Sequence, residues 1–305
     1  MKRTIYLFGL FILGVLIFIA SGIRFDVPVE KLKAKYTNAQ SKFITIDGLP
    51  VHYRDEGKGF PLVLLHGAPS SLHSFDGLTA ELSRHYRVIR LDLPGYGLTG
   101  PTASGDYSLA WYVRFLDSFL TALHVDTCYL AGHSFGGRLA AEFAYTNKNR
   151  ARKLVLIASS GYPIKNDGVL AVKMARNPLL RPIVRNVTPR FFIAMNLKEA
   201  FGASAAIPDE TIDRYYDLLL RSGNRDTFIA MCNQEPEDIT SHIASLNMPT
   251  LILWGSADSI VPPRHAEFFH KDIPGSRVIV YDGAGHMPQE EVPGRVAADM
   301  RAFLR

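Results

Sequence analysis

Short, nearly unbroken apolar stretches recur along this chain, each closed by a turn residue. They are Pro61-Leu-Val-Leu-Leu65, Tyr86-Arg-Val-Ile-Arg-Leu91, Thr127-Cys-Tyr-Leu-Ala131, Lys153-Leu-Val-Leu-Ile157, Pro249-Thr-Leu-Ile-Leu-Trp-Gly255 and Ser276-Arg-Val-Ile-Val-Tyr281. Runs of this length without polar alternation are the pattern of strands covered on both faces. Phe43–Ile46 and Val51–Arg54 flank Asp47-Gly48 and predict a hairpin. Helical patterns separate the later strands, so their connections are right-handed crossovers. The last of these carries Val296, Ala297, Met300, Phe303 and Leu304 on one stripe. The pattern predicts an α/β fold: an eight-stranded, mostly parallel sheet with helices on both faces.

Two regions depart from this pattern. Residues 163–243 show no strand pattern. They hold helical stretches such as Asp209–Arg221, broken by Pro178, Pro182, Pro189 and Pro208, and are rich in Phe191, Phe192, Met195, Phe201, Tyr215, Tyr216, Phe228 and Met231. Some of these are expected to face a pocket and the rest to pack the segment together. The core is then residues 41–162 and 244–305. At the other end, Lys2 and Arg3 precede an uncharged run, residues 5–23, long enough to cross a bilayer. We read residues 1–23 as an N-terminal transmembrane anchor, with a signal segment cleaved near Ala20-Ser21-Gly22 as the alternative, which would give a secreted protein. Residues 24–40 read as a polar tether. Positive charges flank the run on both sides, at Lys2 and Arg3 and at Arg24, Lys31, Lys33 and Lys35. The balance leans toward a domain outside the cytoplasm.

Composition excludes several classes of function. The net charge is +5, with no basic stripe interleaved with aromatics, so no nucleic-acid partner is indicated. The two cysteines, Cys128 and Cys232, make no disulfide framework. No zinc spacing and no phosphate loop are present, so no metal and no cofactor are implied. The oligomeric state is left open.

The chemistry lies at strand ends. Gly132-His133-Ser134-Phe135-Gly136-Gly137 follows one predicted strand and precedes a helical pattern. A serine between Gly132 and Gly136 at such a turn is a nucleophile elbow, which lifts the hydroxyl clear of the sheet. A serine needs a base, and the base an orienting acid. In the order expected for an elbow, Asp258 follows the strand ending at Gly255 and His286 follows the strand ending at Tyr281. Asp282 is a rival acid, but at four residues from His286 it is better placed to shape the turn. The backbone N–H groups of Phe135 and Ala68 are the expected oxyanion donors. In the loop His66-Gly67-Ala68-Pro69, Gly67 permits the turn and His66 holds it.

With these pieces and Asp92-Leu-Pro-Gly-Tyr-Gly97, Trp254-Gly-Ser-Ala-Asp258 and Gly285-His-Met-Pro288, the chain over residues 42–305 resembles the α/β-hydrolase superfamily, in the serine-nucleophile branch related to epoxide hydrolases, haloalkane dehalogenases and haloperoxidase-like esterases. The resemblance implies the α/β-hydrolase fold, a helical cap over residues 163–243 and a structural turn at Asp92–Gly97. It also implies a Ser134-Asp258-His286 triad. Serine in place of aspartate at the elbow disfavours epoxide opening and dehalogenation. Hydrolysis of a small carboxylic ester or lactone through an acyl-enzyme is the expected activity. The alternatives are a C–C bond hydrolase, a haloperoxidase- or perhydrolase-like enzyme, or a non-catalytic ligand receptor on the same fold. Ala68-Pro69 departs from the further glycines of C–C hydrolases, and Phe135 from the tryptophan of proline-specific peptidases.

Overall fold

The structure is a computed structural model. It describes residue 6 and residues 22–163, 170–202, 206–234 and 237–305. In chain order the elements are α1 (Val29–Tyr36), β1 (Ser41–Ile46), β2 (Leu49–Glu56), β3 (Pro61–Leu65), α2 (Asp76–Leu82), β4 (Arg87–Leu91), α3 (Leu109–Ala122), β5 (Cys128–His133), α4 (Phe135–Thr146) and β6 (Ala151–Ile157). A helical insertion follows, with α5 (Leu170–Arg176), α6 (Arg181–Asn186), α7 (Arg190–Ala200), α8 (Asp209–Leu219), α9 (Asn224–Cys232) and α10 (Thr240–Ala244). The chain then returns to the sheet as β7 (Thr250–Gly255), α11 (Arg264–Asp272), β8 (Arg277–Tyr281), α12 (Pro288–Glu291) and α13 (Pro293–Leu304).

The sheet has eight strands in the order β1-β2-β4-β3-β5-β6-β7-β8. Strand β2 is antiparallel to β1 and β4, and every other pairing is parallel. The predicted hairpin is present. Ile46 pairs with Leu49, and Asp47 and Gly48 both have positive φ, 49° and 80°, as the tightest hairpin loops require.

The apolar runs are explained by two cores, one on each face. Leu62 and Leu64 of β3, with Leu251 and Leu253 of β7, pack with Leu78 and Leu82 of α2 and Val296 and Met300 of α13. The alternate residues Val63, Leu65, Ile252 and Trp254 join Tyr112 and Phe119 of α3, Leu139 and Phe143 of α4 and Phe269 of α11. The central strands β3, β5, β6 and β7 therefore feed both cores at a period of two, and no polar face is left in them to alternate.

The tether reading of residues 24–40 is corrected. Val29–Tyr36 is a helix, and Leu32 and Tyr36 are buried with Leu98 and Leu218. Tyr36 Oη also donates to Asp217, and Arg225 ties Asp26 to the insertion. The lysines at 31, 33 and 35 mask a one-sided apolar pattern of Val29, Leu32 and Tyr36 at helical spacing. The transmembrane reading falls on residues 1–23, which lie outside the described residues apart from 6, 22 and 23. Among the described residues, no helix is long and apolar enough to cross a membrane.

The turn after β4 is organised by one buried carboxylate. Asp92 Oδ2 accepts from His52 Nδ1 at 2.7 Å and Leu98 N at 2.8 Å, and Oδ1 accepts from Leu72 N at 2.8 Å. Gly97 has φ of 52°, and a Cβ there would lie 2.1 Å from Asp92 Cγ. Burial would raise the Asp92 carboxyl, but the attraction and hydrogen bond of His52, with His73 and His66 behind it, outweigh burial and hold it below the usual carboxylate range. A depressed folded-state pKa gives stability that is complete above the unfolded value of about 3.9 and is lost as pH falls below it. Asp92→Asn should lower unfolding stability by about 3 kcal/mol at neutral pH. Urea denaturation at neutral and acid pH checks this, because the gap between variant and wild type should narrow on the acid side.

Candidate active site

The predicted site residues converge on the carboxyl edge of the parallel strands, where open α/β sheets carry their sites. Ser134 directly follows β5 and precedes α4, with φ of 52° and ψ of −116°. Holding a non-glycine residue there costs about 1–3 kcal/mol. Backbone hydrogen bonds fix the turn: Ser134 N donates to Ile157 O, and Ser134 O accepts from Gly137, Arg138 and Ser160 N–H. The flanking glycines are required by contact. A Cβ on Gly132 would lie 2.1 Å from Gly136 O, and one on Gly136 would lie 2.1 Å from Leu65 O. No side chain fits either place, so the elbow seats directly on the end of β3.

That contact brings the β3 loop to the serine. A Cβ on Gly67 would sit 3.0 Å from Ser134 Cβ. Ala68 is exposed, and Phe135 opens α4, where the first N–H groups lack helical acceptors. Among the described residues, neither the Ala68 nor the Phe135 N–H has an intramolecular acceptor. His66 is buried. Its Nε2 accepts from Leu93 N at 2.9 Å, so Nδ1 carries the proton and donates to Gly67 O at 2.7 Å. Burial lowers its pKa. It braces the loop against the Asp92 turn.

Asp258 and His286 meet beside this edge. His286 Nδ1 lies 2.8 Å from Asp258 Oδ2, and both side chains are buried. Asp258 Oδ1 is held separately, accepting from Ile260 N at 2.9 Å and Val261 N at 2.8 Å. One oxygen is thus anchored to the backbone and the other is aimed at the imidazole. Close approach explains the glycines again: a Cβ on Gly255 would lie 2.0 Å from Gly285 O. Asp282, the rival acid, is exposed and accepts from Ser256 Oγ at 3.3 Å.

Four supports were not legible in the sequence. His133, next to Ser134, donates from Nε2 to His286 O at 2.8 Å, and its Nδ1 is buried without a partner. Burial, then the charge of His286, pushes its pKa well below the ordinary histidine value. Glu291 gathers the histidine loop. Its carboxylate accepts from Gly285 N, Met287 N and, across the insertion, Gly202 N at 2.8–3.2 Å. His286 N itself donates to Ala200 O at the end of α7, 2.6 Å away. Lastly, Tyr215 of α8 joins three segments: it donates to Glu290 Oε1 at 2.6 Å and accepts from Ser70 Oγ at 3.0 Å, while Arg214 pairs with Glu290 at 2.6 Å. Burial lifts the Glu290 carboxyl above its usual range despite Arg214. The only sequence signal for this was an acidic first turn in Pro288-Gln-Glu-Glu291, which is ordinary at a helix start.

The aromatics of the insertion divide. Phe201 packs with Leu197 and Met287, beside His286, and Tyr215 packs against this group. Phe191, Phe192 and Met195 are exposed instead. Among the described residues, no cluster of metal-ligating side chains occurs.

Comparison with known proteins agrees with this architecture. A family model for the alpha/beta hydrolase fold matches residues 61–293. The chain is similar to a 2-hydroxymuconate semialdehyde hydrolase of Pseudomonas putida, 29% identical over 267 residues that span 84% of this chain and 91% of that one. Its structure is similar to a thermophilic esterase from Thermogutta terrifontis, with a TM-score of 0.74 and 28% identity over 88% of this chain and 98% of that one. It is also similar to a membrane phospholipase A, a bacterial virulence factor, with a TM-score of 0.75 and 25% identity over 100% of this chain and 98% of that one. By sequence and by architecture, the chain belongs to the alpha/beta hydrolase fold family.

Proposed function

We propose that this hydrolase is a serine esterase, cleaving a small carboxylic ester or lactone through an acyl-enzyme, and that residues 5–23 anchor it in a membrane. The observation that carries the catalytic reading is the Asp258–His286 hydrogen bond at the sheet edge that also bears Ser134 and the Ala68 loop. Asp258, with one oxygen already fixed, accepts the Nδ1 proton of His286. That sets the tautomer and leaves Nε2 basic. Nε2 takes the Ser134 proton as Oγ attacks the carbonyl carbon. The N–H groups of Ala68 and Phe135 receive the charge developing on the carbonyl oxygen, and the N-terminus of α4 favours it. His286 then protonates the leaving group and activates water to release the acid.

Similarity to an esterase and to a phospholipase A supports an ester substrate. The second of these is a membrane protein by its description and is covered along this whole chain, which supports the anchor. Similarity to 2-hydroxymuconate semialdehyde hydrolase favours C–C bond hydrolysis as a second reading. The same triad would serve it, but Ala68-Pro69 departs from the glycine-rich loop expected there.

A fluorophosphonate probe should label Ser134, and Ser134→Ala should lower kcat on short-chain p-nitrophenyl esters by roughly 10⁴–10⁶-fold. Absence of labelling in a folded protein that still binds esters would point to a receptor instead. Glu291→Gln leaves Ser134, Asp258 and His286 in place but weakens the clamp on the histidine loop. It should lower kcat by about 10–100-fold with little change in KM, because small misplacement is costly in acyl transfer. In fractionated cells the full chain should stay with membranes through an alkaline carbonate wash. Recovery in the soluble fraction would end the anchor reading.

A further inference from the structure

Large apolar side chains are exposed in one region of this molecule more than in any other described part. Among the described residues from 22 onward, the three most exposed are Phe25 at 87%, Leu179 at 86% and Met195 at 60%. Phe191 and Phe192, on the same helical turn as Met195, are exposed as well. Phe25 lies just beyond Gly22, where the chain leaves the uncharged run, and Leu179 and Met195 flank in sequence the segment Asn186–Thr188 to which that junction is bonded. Gly22 O accepts from Thr188 N at 2.9 Å, Ile23 bridges Val187 in antiparallel fashion, and Arg24 N donates to Asn186 O at 2.8 Å. Gly22 is packed so closely that a Cβ would lie 2.7 Å from Val187 Cγ1. Arg225 reaches back to Arg24 O and Asp26. The junction is therefore pinned between α6 and α7 and does not hang from the domain on a free linker.

Along the chain, residues 170–190 carry charge of one sign. From Leu170 to Arg190 the chain carries Lys173, Arg176, Arg181, Arg185 and Arg190 and no Asp or Glu. Arg185 and Arg190 are matched by Asp226, Asp209 and Asp213. Arg176 and Arg181 donate to neutral oxygens, of Cys232, Ala175 and Asn233.

We infer that the face of the insertion formed by Leu179, α6 and the exposed side of α7, with Phe25, seats on a lipid bilayer, with Phe25, Leu179 and Met195 at the acyl boundary and Arg176 and Arg181 among anionic headgroups. The inference rests on the anchor reading of residues 5–23. Its physical basis is continuity. A pinned junction places α6 and α7 at the surface the apolar run enters. Exposed apolar side chains with cations beside them in sequence match a membrane interface, where apolar side chains sink about 5–10 Å and cations lie among the headgroups. The seat also reaches the site. Helix α7, about 16 Å long from its residue count, exposes Met195 at its midpoint. Its C-terminal end buries Leu197 and holds His286 through Ala200 O.

The test is Met195→Trp in the full chain, reconstituted in phosphatidylethanolamine–phosphatidylglycerol vesicles with unmodified or brominated acyl chains. Retained hydrolysis of a soluble short-chain ester shows that the variant folds. The added indole emission should be at least about twofold lower in the brominated vesicles, since bromine quenches only at the depth of the acyl boundary. If the protein floats with the vesicles but the added emission is unchanged, the anchor stands and the seating is overturned. M195C that cross-links to a second copy in the same vesicles overturns it too, because the face then meets protein. If the protein does not float, the anchor reading fails and the seating with it.

Discussion

The site depends on how closely the chain approaches itself at Ser134. The serine backbone is held in the left-handed region because the turn between β5 and α4 rests on the carbonyl end of β3, with Gly136 against Leu65 O. This one contact sets the reach from the Ser134 side chain to the Gly67 loop and aims the N-terminus of α4 at the same spot. The strain, about 1–3 kcal/mol, is borne by two packed cores that fix the neighbouring strands. Ser134 O, with three backbone donors, keeps the turn from relaxing.

A second set of contacts fixes what surrounds the serine. Asp92 and His66 join the loop after β3 to the loop after β4. Glu291 and His133 both hold the loop of His286, one through N–H groups and the other through the His286 carbonyl. Glu291 also binds Gly202, and Tyr215 links Ser70 to Glu290, so the helical insertion is tied to the edge that carries the proposed chemistry. Burial of these polar groups is tolerated because most of them have partners. The exception, His133 Nδ1, faces the position where a Cβ on Gly67 would intrude.

Much of this was legible beforehand, for a physical reason. Strands covered on both faces need unbroken apolar runs, so β3 to β8 are readable within a few residues of their observed ends, and the Asp47-Gly48 turn marks β1 and β2. Turns that require glycine or a left-handed residue announce themselves, as Asp47-Gly48 and the elbow did. The helix at Val29–Tyr36 did not, because three lysines made an amphipathic segment look like a polar linker. The sequence also does not show the linking roles of Glu291, Glu290 and Tyr215. Their partners lie 75 to 145 positions away for Tyr215 and 89 for the Glu291–Gly202 bond.

The sequence alone determined the sheet, the elbow and the order of Ser134, Asp258 and His286, since each of these is written in local patterns of apolar periodicity and turn chemistry. Only the tertiary structure decided that Asp258 meets His286, that Ala200 and Glu291 hold the histidine loop, and that Met195 faces outward while Phe201 faces in. Those outcomes depend on which segments the folded chain brings within hydrogen-bond reach, and no local pattern encodes such distant neighbours.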